Sequence, residues 1–376
     1  MGARRTADIA IIGGGIAGMS LAAAIGDRAC VMVLEAEERL FHHTSSRSAQ
    51  QMQPTYGPEP VRRLTAASIP IVAGIAERLG TAIFTPRPLL WLHYGDDAAP
   101  FAQLLATVPG LRRIGADQAI DRLPALCRDL LRDAGIDDAA VEVDVPILLA
   151  AYRDTAVRAG AEVLTGGQVT AIARLDRTWR LTTGAGETVE ARTVVNAAGA
   201  WAEQVGALAG AAPLGLIPRR RTVAVARATG RTVDPGWPMA ADAADTFYFR
   251  PRGDSVLASV LEDVRSEPED AQPQEETVRT ILQRVNAVTD LALADPHTTW
   301  TGLRTVTADH LPIVGTDPLL PGFYWLAGQG GYGIQTSAAL AAAVAAELIG
   351  RPHDLPDSAA LLQPLRPERL SLVARE

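Results

Sequence analysis

Residues 8–35 read DIAIIGGGIAGMSLAAAIGDRACVMVLE, and their order decides the fold. Ile9–Ile12 is a short apolar run, the pattern of a strand buried on both faces of a parallel sheet. Gly13-Gly14-Gly15-Ile16-Ala17-Gly18 follows at once and fits G-x-G-x-x-G. A helical segment then runs to about Asp27, and a second apolar run, Val31–Leu34, ends in Glu35. Gly13 permits the tight turn, Gly15 lets the backbone approach a pyrophosphate, and Gly18 lets helix and sheet pack closely. The helix N-terminus offers free N–H groups and a positive dipole end to phosphates. Glu35 is placed to accept hydrogen bonds from a ribose hydroxyl and to repel a 2′-phosphate. A glycine pattern alone is weak. Strand, turn, helix, second strand and acid in order make it a dinucleotide fingerprint. The motif does not by itself separate NAD from FAD.

The 376-residue chain is long enough for two domains. Hydrophobic residues make up 48%, which marks a globular protein. The net charge is −8 without a basic block, which argues against a nucleic-acid partner. Cys30 and Cys127 have no metal-ligand spacing and form no disulfide framework, so no metal site is expected and a reducing compartment is. Cys30, leading into the second strand, reads as a small core residue. Arg4-Arg5 and the apolar stretch after them imitate a secretory signal, but the nucleotide motif already accounts for those residues. Ala338–Ile349 is apolar yet too short to span a bilayer. The reading is a cytoplasmic protein without a membrane span.

Further along, Thr44-Ser45-Ser46-Arg47-Ser48-Ala49-Gln50-Gln51 gathers small hydroxyl residues around one arginine. That composition suits a loop and helix start that bind an anion or heterocycle, and an ordinary N-cap cluster would read the same. Val61–Gly80 is an amphipathic helix pattern, Pro146–Gly160 another, and Glu162–Ile172 reads as one strand through Gly166-Gly167. Thr193–Trp201 (TVVNAAGAW) runs a strand into small residues, Gly199 among them, which allows close backbone approach. Arg219-Arg220-Arg221 precedes strand Thr222–Ala226, where alternation turns at least one arginine inward. Glu262–Glu276, acidic and proline-containing, reads as a surface connection. Trp300–Arg304 (WTGLR) and a second glycine-rich turn, Gly328–Ser337, lead into helix Ala338–Ile349.

Four pieces in this order, the early βαβ unit, SSRSAQQ, NAAGAW and GLR…LPIVG…GQGGYGIQTS, resemble the D-amino-acid oxidase superfamily of FAD-dependent oxidoreductases. Within it the chain looks most like the D-arginine dehydrogenase group. The resemblance covers nearly the whole chain. It implies an α/β fold: a discontinuous Rossmann-type FAD domain (1–83, 140–212 and 301–376) and an α+β substrate domain on a mostly antiparallel sheet (84–139 and 213–300). By position it puts Ala17, Glu35, Ala36, Thr44–Gln51, the backbone of Val169, Gly199 and Gly330-Gly331-Tyr332-Gly333-Ile334-Gln335 at FAD. No cysteine lies in the late segments where some relatives attach flavin, so the FAD is expected to be non-covalent.

The resemblance further implies that Arg221 and Arg304 clamp a substrate carboxylate, with hydroxyl help from Tyr56 and Tyr248. The Gly331 carbonyl would accept from the substrate amine. Arg304 as a salt-bridged scaffold residue and Tyr248 as a core tyrosine are the structural alternatives. Where the arginine-selective relative has a glutamate, a histidine and a tyrosine, this chain has Leu89, Gln51 and Met52. Leu89, Met52, Met239 and Ala241 would then form an apolar pocket, in which a cationic side chain would be buried unpaired. The expected chemistry is oxidation of a neutral, hydrophobic D-amino acid, or a cyclic amino acid, by hydride transfer to flavin N5. Hydrolysis of the imino acid would give a 2-oxo acid and ammonia. O2, a quinone or another carrier would take the electrons. A glycine- or sarcosine-type oxidase, a 2-hydroxy-acid dehydrogenase, a tailoring enzyme for an unusual amino acid and a flavin-free NAD-binding regulator are the rival readings.

Overall fold

The computed structural model describes residues 4–350, 355 and 357–371. The ends of the expected nucleotide segments, 1–3 and 372–376, lie outside the described residues.

The first sheet is built on five parallel strands. Their spatial order is Glu162–Leu164, Val31–Leu34, Arg4–Ile12, Thr188–Asn196 and Phe323–Ala327. Ile9–Ile12 and Val31–Leu34 are buried throughout, as their unbroken apolar runs predict. Helix Ile16–Ile25 covers one face and packs against the late helix Gly333–Ile349, which begins five residues earlier than its apolar run suggests. The late helix also packs against helix Glu59–Leu79 and is buried from Ile334 to Ala345. Six of those buried residues are alanines, whose small side chains let neighbouring helices approach on several sides.

The expected single strand Glu162–Ile172 is two strands, Glu162–Leu164 and Val169–Arg174. Gly166 takes a left-handed φ of 64°. The bend lets the Gly166 and Gly167 N–H groups donate to the Glu37 and Glu35 carbonyls, at 2.9 and 2.8 Å. Cys30 is exposed rather than a core residue. It sits before the strand proper, where its N–H donates to Asp8 Oδ2 at 3.0 Å.

The second sheet has eight strands in the order Leu293–Val306, Ile217–Ala228, Ser255–Val260, Phe247–Arg252, Met239–Asp242, Leu89–Tyr94, Leu131–Asp137 and Arg112–Arg113. Every neighbouring pair is antiparallel except Met239–Asp242 with Leu89–Tyr94. A small third sheet pairs Gln51–Met52 and Phe84–Pro86 with Val141–Val143.

Glu142 of the small sheet joins it to the large one. Its Oε2 accepts from Arg87 Nε at 2.6 Å and its Oε1 from Arg250 Nη1 at 2.9 Å. Arg250, 1% exposed, also donates to the Ala49 carbonyl at 3.0 Å and to Gln50 Oε1 at 2.9 Å. Burial lowers the pKa of Arg250, with the Glu142 charge opposing that shift. Removing one partner from such a cluster strands the others. Glu142→Ala is therefore expected to destabilise the FAD-bound protein by about 3 kcal/mol, read as a lower urea midpoint. Glu142→Gln, which keeps an acceptor, is expected to cost less. A midpoint unchanged in Glu142→Ala would remove the cluster from the structural account.

Candidate active site

A cavity of about 820 Å³ is lined by residues of both large sheets and of the loops between them. Its size suits a cofactor together with a small ligand. At one end lies the first glycine turn. Gly13 has φ 110°, and a Cβ there would lie 2.4 Å from the Ala197 carbonyl oxygen. Gly15 and Ala17 line the cavity, while a Cβ on Gly18 would fall 2.0 Å from the Gly13 carbonyl oxygen. Gly18 is thus a packing glycine off the cavity wall, the role its place in the motif predicts. The Ile16 N–H donates to Ser45 Oγ at 2.9 Å, which ties the helix start to the serine loop.

Glu35 lines the cavity, but its carboxylate also has a structural task. Oε2 accepts from the Gly14 N–H at 2.7 Å and Oε1 from the Glu37 N–H at 2.9 Å. A ribose hydroxyl would therefore use remaining lone pairs. Ala36, Val169 and Gly199 lie on the same wall.

The serine loop is only partly as expected. Thr44, Ser45, Arg47, Ser48, Ala49 and Gln51 line the cavity. Ser46 is exposed and its hydroxyl donates to the His43 carbonyl at 3.0 Å. Gln50, at φ 60°, turns its side chain to Arg250 instead. Only a three-residue 3₁₀ turn, Thr44–Ser46, forms where a helix start was expected. The Arg47 guanidinium is bonded to Asp270 and to the Thr301 carbonyl, the latter at 2.8 Å. Its work is to hold segment 262–276 down. That segment is more than a surface connection: Ala271 is 2% exposed, Glu269 lines the cavity, and Arg220 Nη1 donates to Glu269 Oε1 at 3.0 Å.

At the late turn, Gly330, Gly331, Gly333, Ile334 and Gln335 line the cavity, and Tyr332 does not. The Tyr332 ring packs 5.5 Å from the Tyr56 ring instead. Two helix starts, at Ile16 and Gly333, therefore meet one cavity. The buried Gln335 Nε2 and Gln51 Oε1 have no protein partner. A glycine cradle, unsatisfied polar atoms and helix N-termini are the donor set that a flavin dinucleotide needs, and the residues fit FAD.

The substrate limb follows from sheet register. Val223, Ser259, Tyr248, Ala241 and Trp91 stand directly opposite one another across five strands. Ala241 thus sits between Trp91 and Tyr248, and its short side chain leaves a slot between the aromatic residues. Arg221 is paired with Gly302, and Arg304 lies two residues beyond that glycine on the same face. Both guanidiniums therefore serve one wall, and Arg221, Arg304, Tyr56 and Tyr248 all line the cavity. The Nε and Nη1 of Arg221 and the hydroxyl of Tyr248 are buried without a protein partner. A Cβ on Gly331 would lie 2.7 Å from Arg304 Nη1, so the absence of a side chain lets Arg304 rest against this turn.

Met239 and Ala241 line the limb, but Leu89 and Met52 do not. Leu89 is paired with Met239, one row away from the Trp91–Ala241 pair, and is 0% exposed in the core. Met52 is also fully buried, among the helices of the first sheet. The apolar wall is made instead by Met239, Ala241, Val223 and Trp91. Trp91 was findable by counting two residues on from Leu89 along the strand. Asp245, also on the wall, carries no sequence signal. The described residues include no helix long and apolar enough to cross a membrane.

Comparison with known proteins fits this geometry. The hydrogen cyanide synthase subunit HcnC of Pseudomonas aeruginosa is 28% identical over 191 residues, 50% of this chain and 44% of that protein. The chain's match thus spans less than half the length of that curated relative. L-proline dehydrogenase from P. horikoshii superposes with a TM-score of 0.85 at 21% identity, covering 99% of both chains. Glycine oxidase from Geobacillus kaustophilus gives 0.81 at 23% identity, covering 96% of this chain and 98% of the other. These likenesses show the shared fold. The model of the FAD dependent oxidoreductase family matches residues 8–347, so this chain belongs to that family of FAD-dependent enzymes.

Proposed function

We propose that the enzyme oxidises the Cα–N bond of a neutral, hydrophobic D-amino acid, or of a cyclic amino acid, to the imino acid. Water then converts the imino acid to a 2-oxo acid and ammonia, or to the ring-opened amino 2-oxo acid when the amine is cyclic. The finer kinship with the D-arginine dehydrogenase group and the choice of the D-enantiomer are part of this proposal. One observation carries it: Arg221 presents unpartnered N–H groups beside Arg304, next to a wall of Met239, Ala241, Val223 and Trp91. A planar guanidinium meets a carboxylate with two parallel hydrogen bonds, and the apolar wall takes an uncharged side chain.

The chemistry that non-covalently bound FAD supplies is acceptance of the two electrons and the hydrogen leaving Cα. The chain's residues do the rest. Arg221 and Arg304 fix the carboxylate and hence the angle at which Cα is presented. Tyr56 and Tyr248 add hydroxyl contacts. Burial and the nearby Asp245 charge raise the Tyr56 pKa, so its phenol stays a donor at neutral pH. The Gly331 carbonyl accepts a hydrogen bond from the amine. O2, a quinone or another carrier removes the electrons.

Three measurements test this reading. In an anaerobic screen, D-Leu, D-Met, D-Phe or proline should bleach the flavin faster than D-Arg or D-Lys does, with each enantiomer run separately. Faster bleaching by D-Arg or D-Lys would overturn the neutral-substrate reading. Arg304→Ala should lower kcat/KM by on the order of 10²-fold, because a charge-assisted pair in a dry site is lost. A change below threefold would take Arg304 out of the clamp. The third test is pH. Burial, and next the Arg304 charge, lower the Arg221 pKa to about 10. The penalised form is the cation, so Arg221 opposes folding at lower pH, and this penalty is relieved as pH rises through about 10. Carboxylate affinity should move the other way, flat near neutrality and weakening as pH rises through about 10. An affinity that stays constant through that range would show that burial does not lower the Arg221 pKa this far.

A further inference from the structure

Strands Met239–Asp242 and Phe247–Arg252 are joined by a tight turn in which the Asp245 N–H donates to the Asp242 carbonyl at 2.9 Å. Asp245 itself has φ 56°, a conformation that aspartate adopts more readily than most residues. The turn sets Asp245 on the wall of the cavity shared with Arg221, Arg304, Tyr56 and Tyr248. Its carboxylate acts on Arg221 and Arg304 through charge, with no hydrogen bond to either. The structural ion pairs of this protein behave differently: Arg250 and Arg87 both hydrogen-bond Glu142, and Arg47 hydrogen-bonds Asp270. Asp245 is a fixed charge held off the clamp.

Resting on the amino-acid reading above, we propose that Asp245 is a specificity-determining residue that restricts this enzyme to ligands with a single carboxylate. The two guanidiniums and the Asp245 carboxylate leave one positive charge at this end of the cavity. An amino acid with a neutral amine brings one negative charge and balances it. A ligand with a second carboxylate leaves a negative charge facing Asp245, which stands exposed on the cavity wall, and the two like charges repel. Without Asp245, the two arginines could each take a carboxylate. The same feature therefore separates monocarboxylic amino acids from dicarboxylic ones such as aspartate or iminodiacetate. The wall of Met239, Ala241 and Val223 cannot do so by shape alone, because it offers no charge of its own.

The test uses the FAD-loaded protein and two probes of equal chain length, pentanoate and glutarate. Binding is read from the perturbation of the flavin absorbance. Wild type should bind pentanoate at least about tenfold more tightly than glutarate, the size expected for one like-charge contact near a protein surface. Asp245→Asn should bring that ratio to within threefold, Asp245→Ala should do the same, and Asp245→Glu should restore most of it. The same order should appear in the KM ratio for D-leucine against D-aspartate. A ratio unchanged in both charge-removing variants, while wild type still binds pentanoate, overturns this proposal alone. A wild type that binds neither probe overturns the clamp reading and this proposal with it.

Discussion

Glu142 holds the geometry of this enzyme together. One carboxylate receives Arg87 on one oxygen and Arg250 on the other, and Arg250 reaches on to the serine loop at Ala49 and Gln50. A strand of the small sheet, an inner strand of the large sheet and the loop at the cofactor wall are thereby fixed to one another. Ion pairs this deeply enclosed add little net stability against a hydrophobic alternative, but they specify geometry strongly because no member tolerates losing its partner. Leu89 and Met239 share a cross-strand row, yet only Met239 lines the cavity and Leu89 is sealed in the core; Trp91 and Ala241, one row on, both line it.

The clamp depends on a second, local constraint. Arg221 and Arg304 come from adjacent antiparallel strands and are brought onto one face by the Arg221–Gly302 register. Gly331 has no side chain where the Arg304 guanidinium rests, and so makes room for that cation. Like charges so placed repel, and burial, with the Arg304 charge behind it, depresses the Arg221 pKa. An anionic ligand relieves that repulsion, so strain in the free site favours binding.

Much of this was legible in the residues. The early βαβ unit reads directly, because an unbroken apolar run, a glycine turn and a closing acid each have one physical explanation, and all three appear where expected. The late helix and the inward turn of Arg221 were equally plain. Sequence reading failed where side chains could be placed only by register. Leu89 and Met52 have the right chemistry for a pocket but are sealed in the core. Arg47 lines the cavity as expected of that loop, but its guanidinium is also bonded to Asp270, a partner distant in sequence. Asp245 could not be read at all: a lone acid in a turn is ordinary until the fold sets it opposite two arginines.

The parallel sheet also has a temporal consequence. Its glycine turn is made well before strand Phe323–Ala327 and helix Gly333–Ile349, which complete and cover that unit. The whole antiparallel sheet is synthesised in between. Until then the helix Ile16–Ile25, buried almost all round in the finished enzyme, has no late helix to lie against. Nascent chains of this design expose an apolar helix until the late strand and helix emerge, and cannot close on their cofactor before then. Capture of FAD is thus tied to the emergence of helix Gly333–Ile349, and a product truncated before it would present a sticky half-nest to chaperones and proteases.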